Sequence, residues 1–291
     1  MKVIAKKVNA FTDSSKGGNP AGVVLNSPKL TDKQMASVTK QLKVSETAFV
    51  FPSFKADFMI RFFTPETEVD LCGHATIAAF FIMASEGIFP GNRNIIVKQE
   101  TKAGVLPVSV EFSDDGEVDR VMMTQKKPIF KDIYLDISDI AGSLNISKEE
   151  IDDSFPKQAV STGLFTFPVC IKSFDTLKTI KPDFEKIKKI CNKLNVGSFH
   201  LFTFDTLEPR SVYHARNFAP VYAINEDPVT GTANGAVCSY LIINKIIEER
   251  NLICEQGDII GRPGRVYVEI NNDIVRVGGR AKIVEEKEIL L

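Results

Sequence analysis

Arg61-Phe62-Phe63-Thr64-Pro65 and Arg216-Asn217-Phe218-Ala219-Pro220 are two copies of one pattern, 155 positions apart (216 less 61). Each copy closes a stretch of β-forming residues, and the proline then breaks the strand. A glycine turn follows, at Gly73 and Gly231. Behind each turn comes a helix with no polar face: residues 75–86 in the first copy and 233–243 in the second, where Asn234 and Ser239 are the polar exceptions. A helix that is apolar all round must be enclosed. The Arg-to-Gly spacing is 12 in the first copy and 15 in the second, so the second is expected to carry a three-residue insertion, holding Asp227. Solenoid units run to about 20–50 residues. A period of 155 is therefore a domain duplication.

The order upstream repeats as well. Thr31-Asp32-Lys33-Gln34 fits a capping box, and Met35, Val38 and Leu42 recur at helical spacing, which predicts an amphipathic helix over 31–44. Residues 47–51 and 57–63 then read as a hairpin. In the second half Phe184, Ile187, Ile190, Cys191 and Leu194 make the helical stripe, and 199–204 and 211–218 read as strands. The expected fold is α+β: two pseudo-symmetric domains, each a curled, mostly antiparallel, barrel-like sheet wrapped around a central buried helix. The polar turn Ser113-Asp114-Asp115-Gly116-Glu117 puts the boundary near residue 120. The domains are expected over 1–118, with the last strand at about 280–291 able to return to either, and over 119–280. A single active site is expected in the cleft between them.

Composition narrows the function. The 291 residues are 44% hydrophobic, ample for two cores, and 36 Lys+Arg against 37 Asp+Glu leave a net charge of −1. No global field draws the chain to nucleic acid or to an anionic membrane, so a small molecule is the expected partner. Five irregularly placed cysteines show neither a disulfide framework nor a CxxC spacing. With no apolar segment before Lys6-Lys7, a cytoplasmic location is expected.

The two glycine turns offer two helix N-termini whose free N–H groups and positive dipole ends suit a carboxylate or phosphate. Neither matches a nucleotide-binding motif. The residues around the turns differ: Cys72-Gly73-His74 in one half, Glu226-Asp227-Pro228-Val229-Thr230-Gly231-Thr232 in the other. After the amphipathic helices, only the first half places a carboxylate, Glu46, at the entry to an apolar strand. Apolar neighbours would raise its pKa toward the range useful for general acid/base work. His74 is a candidate partner of Asp227. A Cys72–His74 nucleophile dyad is not expected, because residues two apart at a tight turn rarely face one another and no third group is at hand to orient them. His200 and His214 are expected to pack or to face solvent. Three scattered histidines give no ligand-spaced metal cluster, so no metal is expected.

Taken together, Gly18-Asn19-Pro20-Ala21-Gly22-Val23, Ser45-Glu46-Thr47-Ala48-Phe49, Arg61-x-Phe-Thr-Pro, Leu71-Cys72-Gly73-His74-Ala75-Thr76 and Glu226-Asp227-Pro228-Val229-Thr230-Gly231-Thr232-Ala233 closely resemble the phenazine-biosynthesis (PhzF-like) isomerase family over nearly the whole chain. The resemblance implies a diaminopimelate epimerase-like fold, a homodimer, and cofactor-independent isomerisation of a small cyclic carboxylate such as dihydro-3-hydroxyanthranilate. It makes Glu46 the acid/base residue, with His74 and Asp227 beside it. Asn19, Ser45, Gly73, Gly231 and Thr232 would bind or orient substrate. Two alternatives stand beside it. An epimerase or racemase of an amino acid-like substrate would need two opposed thiols, but the equivalent turns carry Cys72 and Thr230. A non-catalytic metabolite-binding homologue would have no need of Glu46.

Overall fold

The structure is a computed structural model, and it describes residues 2–27, 30–89 and 93–291. In chain order the elements are β1 (Lys2–Ala10), β2 (Asn19–Val24), α1 (Asp32–Leu42), β3 (Thr47–Phe51), β4 (Phe58–Phe63), β5 (Glu68–Val69), α2 (Gly73–Ser85), β6 (Ile95–Thr101), β7 (Gly104–Phe112) and β8 (Val118–Thr124). They continue as β9 (Ile129–Asp132), α3 (Ile137–Leu144), β10 (Gln158–Ser161), β11 (Phe165–Cys170), α4 (Phe174–Thr179), α5 (Phe184–Leu194), β12 (Ser198–Thr203) and β13 (Tyr213–Ala219). The last are β14 (Ile224–Asp227), α6 (Gly231–Ile243), β15 (Asn251–Gln256), β16 (Gly264–Asn271), β17 (Ile274–Gly279) and β18 (Ala281–Leu290). The chain divides into two compact units, Met1–Thr124 with Gly278–Leu291, and Gln125–Val277.

In the first unit the strands run β18, β1, β2, β3, β4, β6, β7, β8. All neighbours are antiparallel except β2/β3 and β4/β6, which are parallel. The apolar helix α2 packs on β1, β2, β3, β7, β8 and β18. Ile77, Ala78, Ala79, Phe80, Ile82 and Met83 are accordingly all buried. Burial of a side chain the size of Phe80 stabilises by about 1.5–3 kcal/mol, so this helix is the centre of the unit's core. The expected capping box on α1 is present: the Thr31 hydroxyl caps the Gln34 N–H and the Gln34 side chain returns to Thr31. Its stripe of Met35, Val38 and Leu42 packs with Phe49 and Phe63.

The second unit repeats this order as β10, β11, β12, β13, β15, β16, with β9 added beside β10. Its parallel pairs, β11/β12 and β13/β15, fall at the same places as β2/β3 and β4/β6. Buried α6 is the counterpart of α2, and α5, with Ile187, Cys191 and Leu194 inward, is that of α1. The fold is thus strand-dominated with one enclosed helix per unit, and the duplication extends to strand order. Among the described residues no helix is long and apolar enough to cross a membrane.

The register relocates the insertion. Phe62 pairs with Val69 and Phe63 with Glu68, whereas Asn217 pairs with Asp227 and Ala219 with Ile224. Asn217 lies 155 positions after Phe62, but Asp227 lies 158 after Val69. The three extra residues therefore fall between the two strands, around the 3-10 turn Pro220–Tyr222. Asp227 is not part of the insertion. It takes the place that Val69 holds in the first unit.

The same alignment explains the doubled Arg-x-Phe. Arg61 clamps Glu68 through Nε and Nη2 at 2.7 and 2.8 Å, and Arg216 clamps Glu226 in the same way at 2.9 and 2.8 Å. Each guanidinium also lies over the phenylalanine two residues on, 5.0 Å from the Phe63 ring and 4.9 Å from that of Phe218. Forked pairing and stacking on an aromatic face are properties of arginine that lysine lacks. The motif that betrays the duplication is a brace that pins β5 and β14 to their neighbours.

Candidate active site

Glu46 enters the site from the linker between α1 and β3. Lys43 ends α1 in the left-handed conformation, and the Glu46 carbonyl accepts the Gly22 N–H at 2.9 Å. A Cβ at Gly22 would meet Thr47 Oγ1 at 2.3 Å, so the close approach of β2 that fixes Glu46 needs glycine there. Gly18 has φ +67, and a Cβ there would lie 2.2 Å from the Ala10 carbonyl oxygen. The Gly-Asn-Pro-Ala-Gly stretch is thus built for tight passage. Asn19 is buried at the start of β2, opposite Ala10. Ser45 is exposed beside Glu46.

His74 comes from the first turn of α2, whose N-cap is Cys72. Its Nε2 lies 3.3 Å from Glu46 Oε2. That oxygen is buried and has no hydrogen-bond partner of good geometry, so the contact is an ion pair rather than an aligned hydrogen bond. On the other side Cys72 Sγ lies 3.4 Å from His74 Nδ1 and 3.8 Å from Nε2. Two expectations are corrected here. Residues 72 and 74 do face each other, because Cys72 is extended (φ −136, ψ 116) and the helix begins at the very next residue. A third group is also present, since Glu46 approaches Nε2 of the same ring.

The charge state of Glu46 is corrected as well. Burial pushes its pKa up, as its apolar strand suggested, but the His74 imidazole and the Ser45 hydroxyl together outweigh burial and hold it below the ordinary carboxylate range. His74 moves the other way. Burial lowers it, yet the neighbouring Cys72 sulfur and the Glu46 carboxylate raise it well above an ordinary histidine. The two shifts agree on an ionised carboxylate beside a cationic imidazole. Among the described residues, Glu46, Cys72 and His74 form the one group of three side chains whose ligand atoms all lie within 4.8 Å of one another.

In the second unit Thr230 is the N-cap of α6. By the 158-residue offset it stands at the place of Cys72, and Thr232 at that of His74. The Thr230 hydroxyl donates to Asp227 Oδ2, and its N–H donates to Gln256 Oε1 at 3.1 Å. Gln256 Nε2 donates to the Asp227 carbonyl at 2.9 Å. Asn234 donates to Gln256 Oε1 at 2.8 Å and accepts from Tyr213 OH at 2.8 Å. Gly231 opens the helix, and the Thr232 carbonyl accepts from Thr162 Oγ1 at 3.2 Å. Gln256, wholly buried, is the organiser of this turn that the sequence does not mark. Neither Cys72 nor Thr230 caps its own helix with its side chain, and neither first turn holds an acidic residue. Both N-termini therefore keep the polarity suited to an anion.

The position equivalent to Glu46 in the second unit is Ser198, whose hydroxyl is 2.7 Å from that of Thr166. No carboxylate stands there. His200 and His214 are both fully buried, His200 Nδ1 against Asn217 Oδ1 (3.2 Å) and His214 Nδ1 2.8 Å from Glu255 Oε2.

A strand-dominated fold with one enclosed helix in each unit thus carries a carboxylate–imidazole pair at the start of α2. The phenazine biosynthesis-like protein family matches residues 8–287. The uncharacterized isomerase YfhB of Bacillus subtilis is 36% identical over 278 residues, covering 95% of this chain and 92% of that protein. The crystal structure of the PhzF-family phenazine biosynthesis protein of Bacillus anthracis superposes with a TM-score of 0.90 at 32% identity, covering all of both chains. A hydroxyproline epimerase from Agrobacterium vitis shares the fold alone, with a TM-score of 0.64 at 14% identity over 99% of this chain and 91% of that one. The chain belongs to the phenazine biosynthesis-like family, and it is an isomerase.

Proposed function

We propose that the chain is a cofactor-independent isomerase that moves a proton on a small cyclic carboxylate of the dihydro-3-hydroxyanthranilate kind, with Glu46 as its single acid/base. The observation that carries this reading is Glu46 Oε2: buried, without an aligned hydrogen bond, and 3.3 Å from His74 at the start of α2. An ionised carboxylate whose oxygen makes no aligned hydrogen bond accepts a proton from carbon, and the adjacent imidazolium offsets charge as it develops. Glu46 would then return the proton to a conjugated position on the same face.

In this reading Asn19, Ser45, Gly73, Asp227, Gly231 and Thr232 bind or orient the substrate, with a helix N-terminus receiving its carboxylate. It works as a homodimer in the cytoplasm and needs no redox cofactor. A two-base epimerase is disfavoured by Thr230, a hydroxyl engaged with Asp227 where a second thiol would be needed. The test is Glu46→Gln in heavy water with dihydro-3-hydroxyanthranilate and a panel of small cyclic and amino carboxylates, reading deuterium uptake by mass. Loss of uptake by at least about a hundredfold is expected, in line with the usual contribution of general acid/base catalysis. Near-normal uptake removes Glu46 from the mechanism.

A further inference from the structure

We propose that Glu46, Cys72 and His74 also form a binding site for a divalent cation of the Zn2+ class, occupied through Glu46 Oε2, Cys72 Sγ and His74 Nε2. A tetrahedral zinc ion with bonds of about 2.0–2.1 Å to nitrogen, about 2.0–2.2 Å to oxygen and about 2.3 Å to sulfur holds neighbouring ligand atoms roughly 3.3–3.6 Å apart. Here Nε2 stands 3.3 Å from Oε2 and 3.8 Å from Sγ, and the three ligand atoms fall within 4.8 Å overall. Sγ now lies nearer Nδ1, at 3.4 Å, so loading requires Cys72 to turn about χ1 toward Nε2.

The donor set fits the ion. Thiolate and imidazole suit zinc, and a carboxylate completes a mixed sulfur–nitrogen–oxygen triad with one position left for water. A thiolate and a carboxylate cancel the charge of the cation, so the loaded site is neutral and costs little to bury. The positive end of α2 opposes the cation, and an N-terminal dipole at a partly buried site weakens affinity by up to about thirtyfold. The side chains of His74 and Glu46 retain 14% and 21% of their accessibility, and a small side-chain movement exposes the buried Oε2 to the entering ion. Loading releases the proton of the His74 imidazolium and that of the Cys72 thiol to solvent, and it occupies the lone pair of Glu46 and the ring nitrogen beside it. Resting on the function proposed above, the ion is therefore an inhibitor that competes with substrate.

The experiment is titration of the reduced full-length chain with Co2+, read by thiolate-to-cobalt charge-transfer absorption, and with Zn2+ by calorimetry. One ion per chain is expected, with Cys72→Ser abolishing the charge-transfer band and weakening Zn2+ by more than about tenfold. Absence of the band, or an undiminished band in Cys72→Ser, overturns the site. Alkylation of Cys72 in the unmodified chain, followed by peptide mass, serves as the second readout. Zn2+ should slow it, and an unchanged rate likewise overturns the site. Substrate deuterium uptake should fall in step with zinc occupancy. Uptake that persists at full occupancy leaves the site standing and overturns Glu46 as the base.

Discussion

Gly22 holds Glu46 in place: its N–H donates to the Glu46 carbonyl at 2.9 Å, and no larger residue fits there because Thr47 Oγ1 and Leu42 Cδ1 would lie 2.3 and 2.7 Å from its Cβ. Glycine here sets the position of the proposed base. Gly22→Ala should lower turnover more than it raises KM, since the methyl displaces the linker rather than a substrate contact. Overpacking of this kind costs about 1–3 kcal/mol in stability. Urea unfolding beside steady-state kinetics checks both, and unaltered kcat in a folded variant would show that Glu46 tolerates the shift.

The two arginine braces should differ in strength. Arg216 is buried and also donates to the Leu177 and Ile180 carbonyls at 3.0 Å each, whereas Arg61 adds only a bond to exposed Asp32. Arg216→Lys loses the fork and strands a carboxylate and two carbonyls away from water, so a loss of about 3–5 kcal/mol is expected. Arg61→Lys, at a wetter site, should cost about 1 kcal/mol or less. Comparative denaturant unfolding of the two variants decides it, and equal losses would contradict the asymmetry.

His200 gives the chain a pH-dependent stability. Burial pushes its pKa down to about 4 against an ordinary 6.5, with bonds to Asn217 and Asn234 opposing burial. The unfolded chain therefore binds the proton first as pH falls. The contribution is complete above about 6.5 and disappears by about 4. At about 1.36 kcal/mol per pH unit it amounts to about 3 kcal/mol. Unfolding free energies measured from pH 7 to pH 4 should show this decline, and His200→Gln should flatten it.

Glu255 anchors the segment before β13. It accepts the N–H groups of Leu207 and Glu208 at 2.9 and 2.7 Å and is paired with His214. Glu255→Ala leaves the Leu207 and Glu208 N–H groups and His214 without their buried partner and should cost about 3 kcal/mol or more. Amide exchange should quicken at Leu207 and Glu208 ahead of the rest of the unit. Unchanged protection at those two amides would rule the anchor out.

Helices α1, α2, α5 and α6 were legible because caps, apolar periodicity and glycine turns are local signals, and the first hairpin and the strands of the second half were legible from their β-forming runs. The meaning of the doubled arginine was not. Its glutamate partner lies seven residues on in one copy and ten in the other, so only strand register equates Glu68 with Glu226. Glu46 stood out as a carboxylate entering an apolar strand, but its charge state depends on His74, 28 positions away (74 less 46). Cys72 and His74 face each other through backbone geometry at the helix start, which residue spacing does not encode. Gln256 carried no mark at all, because a buried amide at a strand end looks like any other polar residue until its partners are assembled.

The return of β18 to pair with β1 along its whole length has a consequence for biosynthesis. The unit that bears Glu46 and His74 is interrupted by the other, residues 125–277, and lacks its edge strand until residues 281–290 have left the ribosome. The interrupting unit has all its residues first and is free to fold while synthesis continues. The half that holds the proposed base is completed last, by contacts spanning almost the whole sequence, which are the slowest kind to form. Assembly of the unit that holds Glu46 and His74 thus waits on β18.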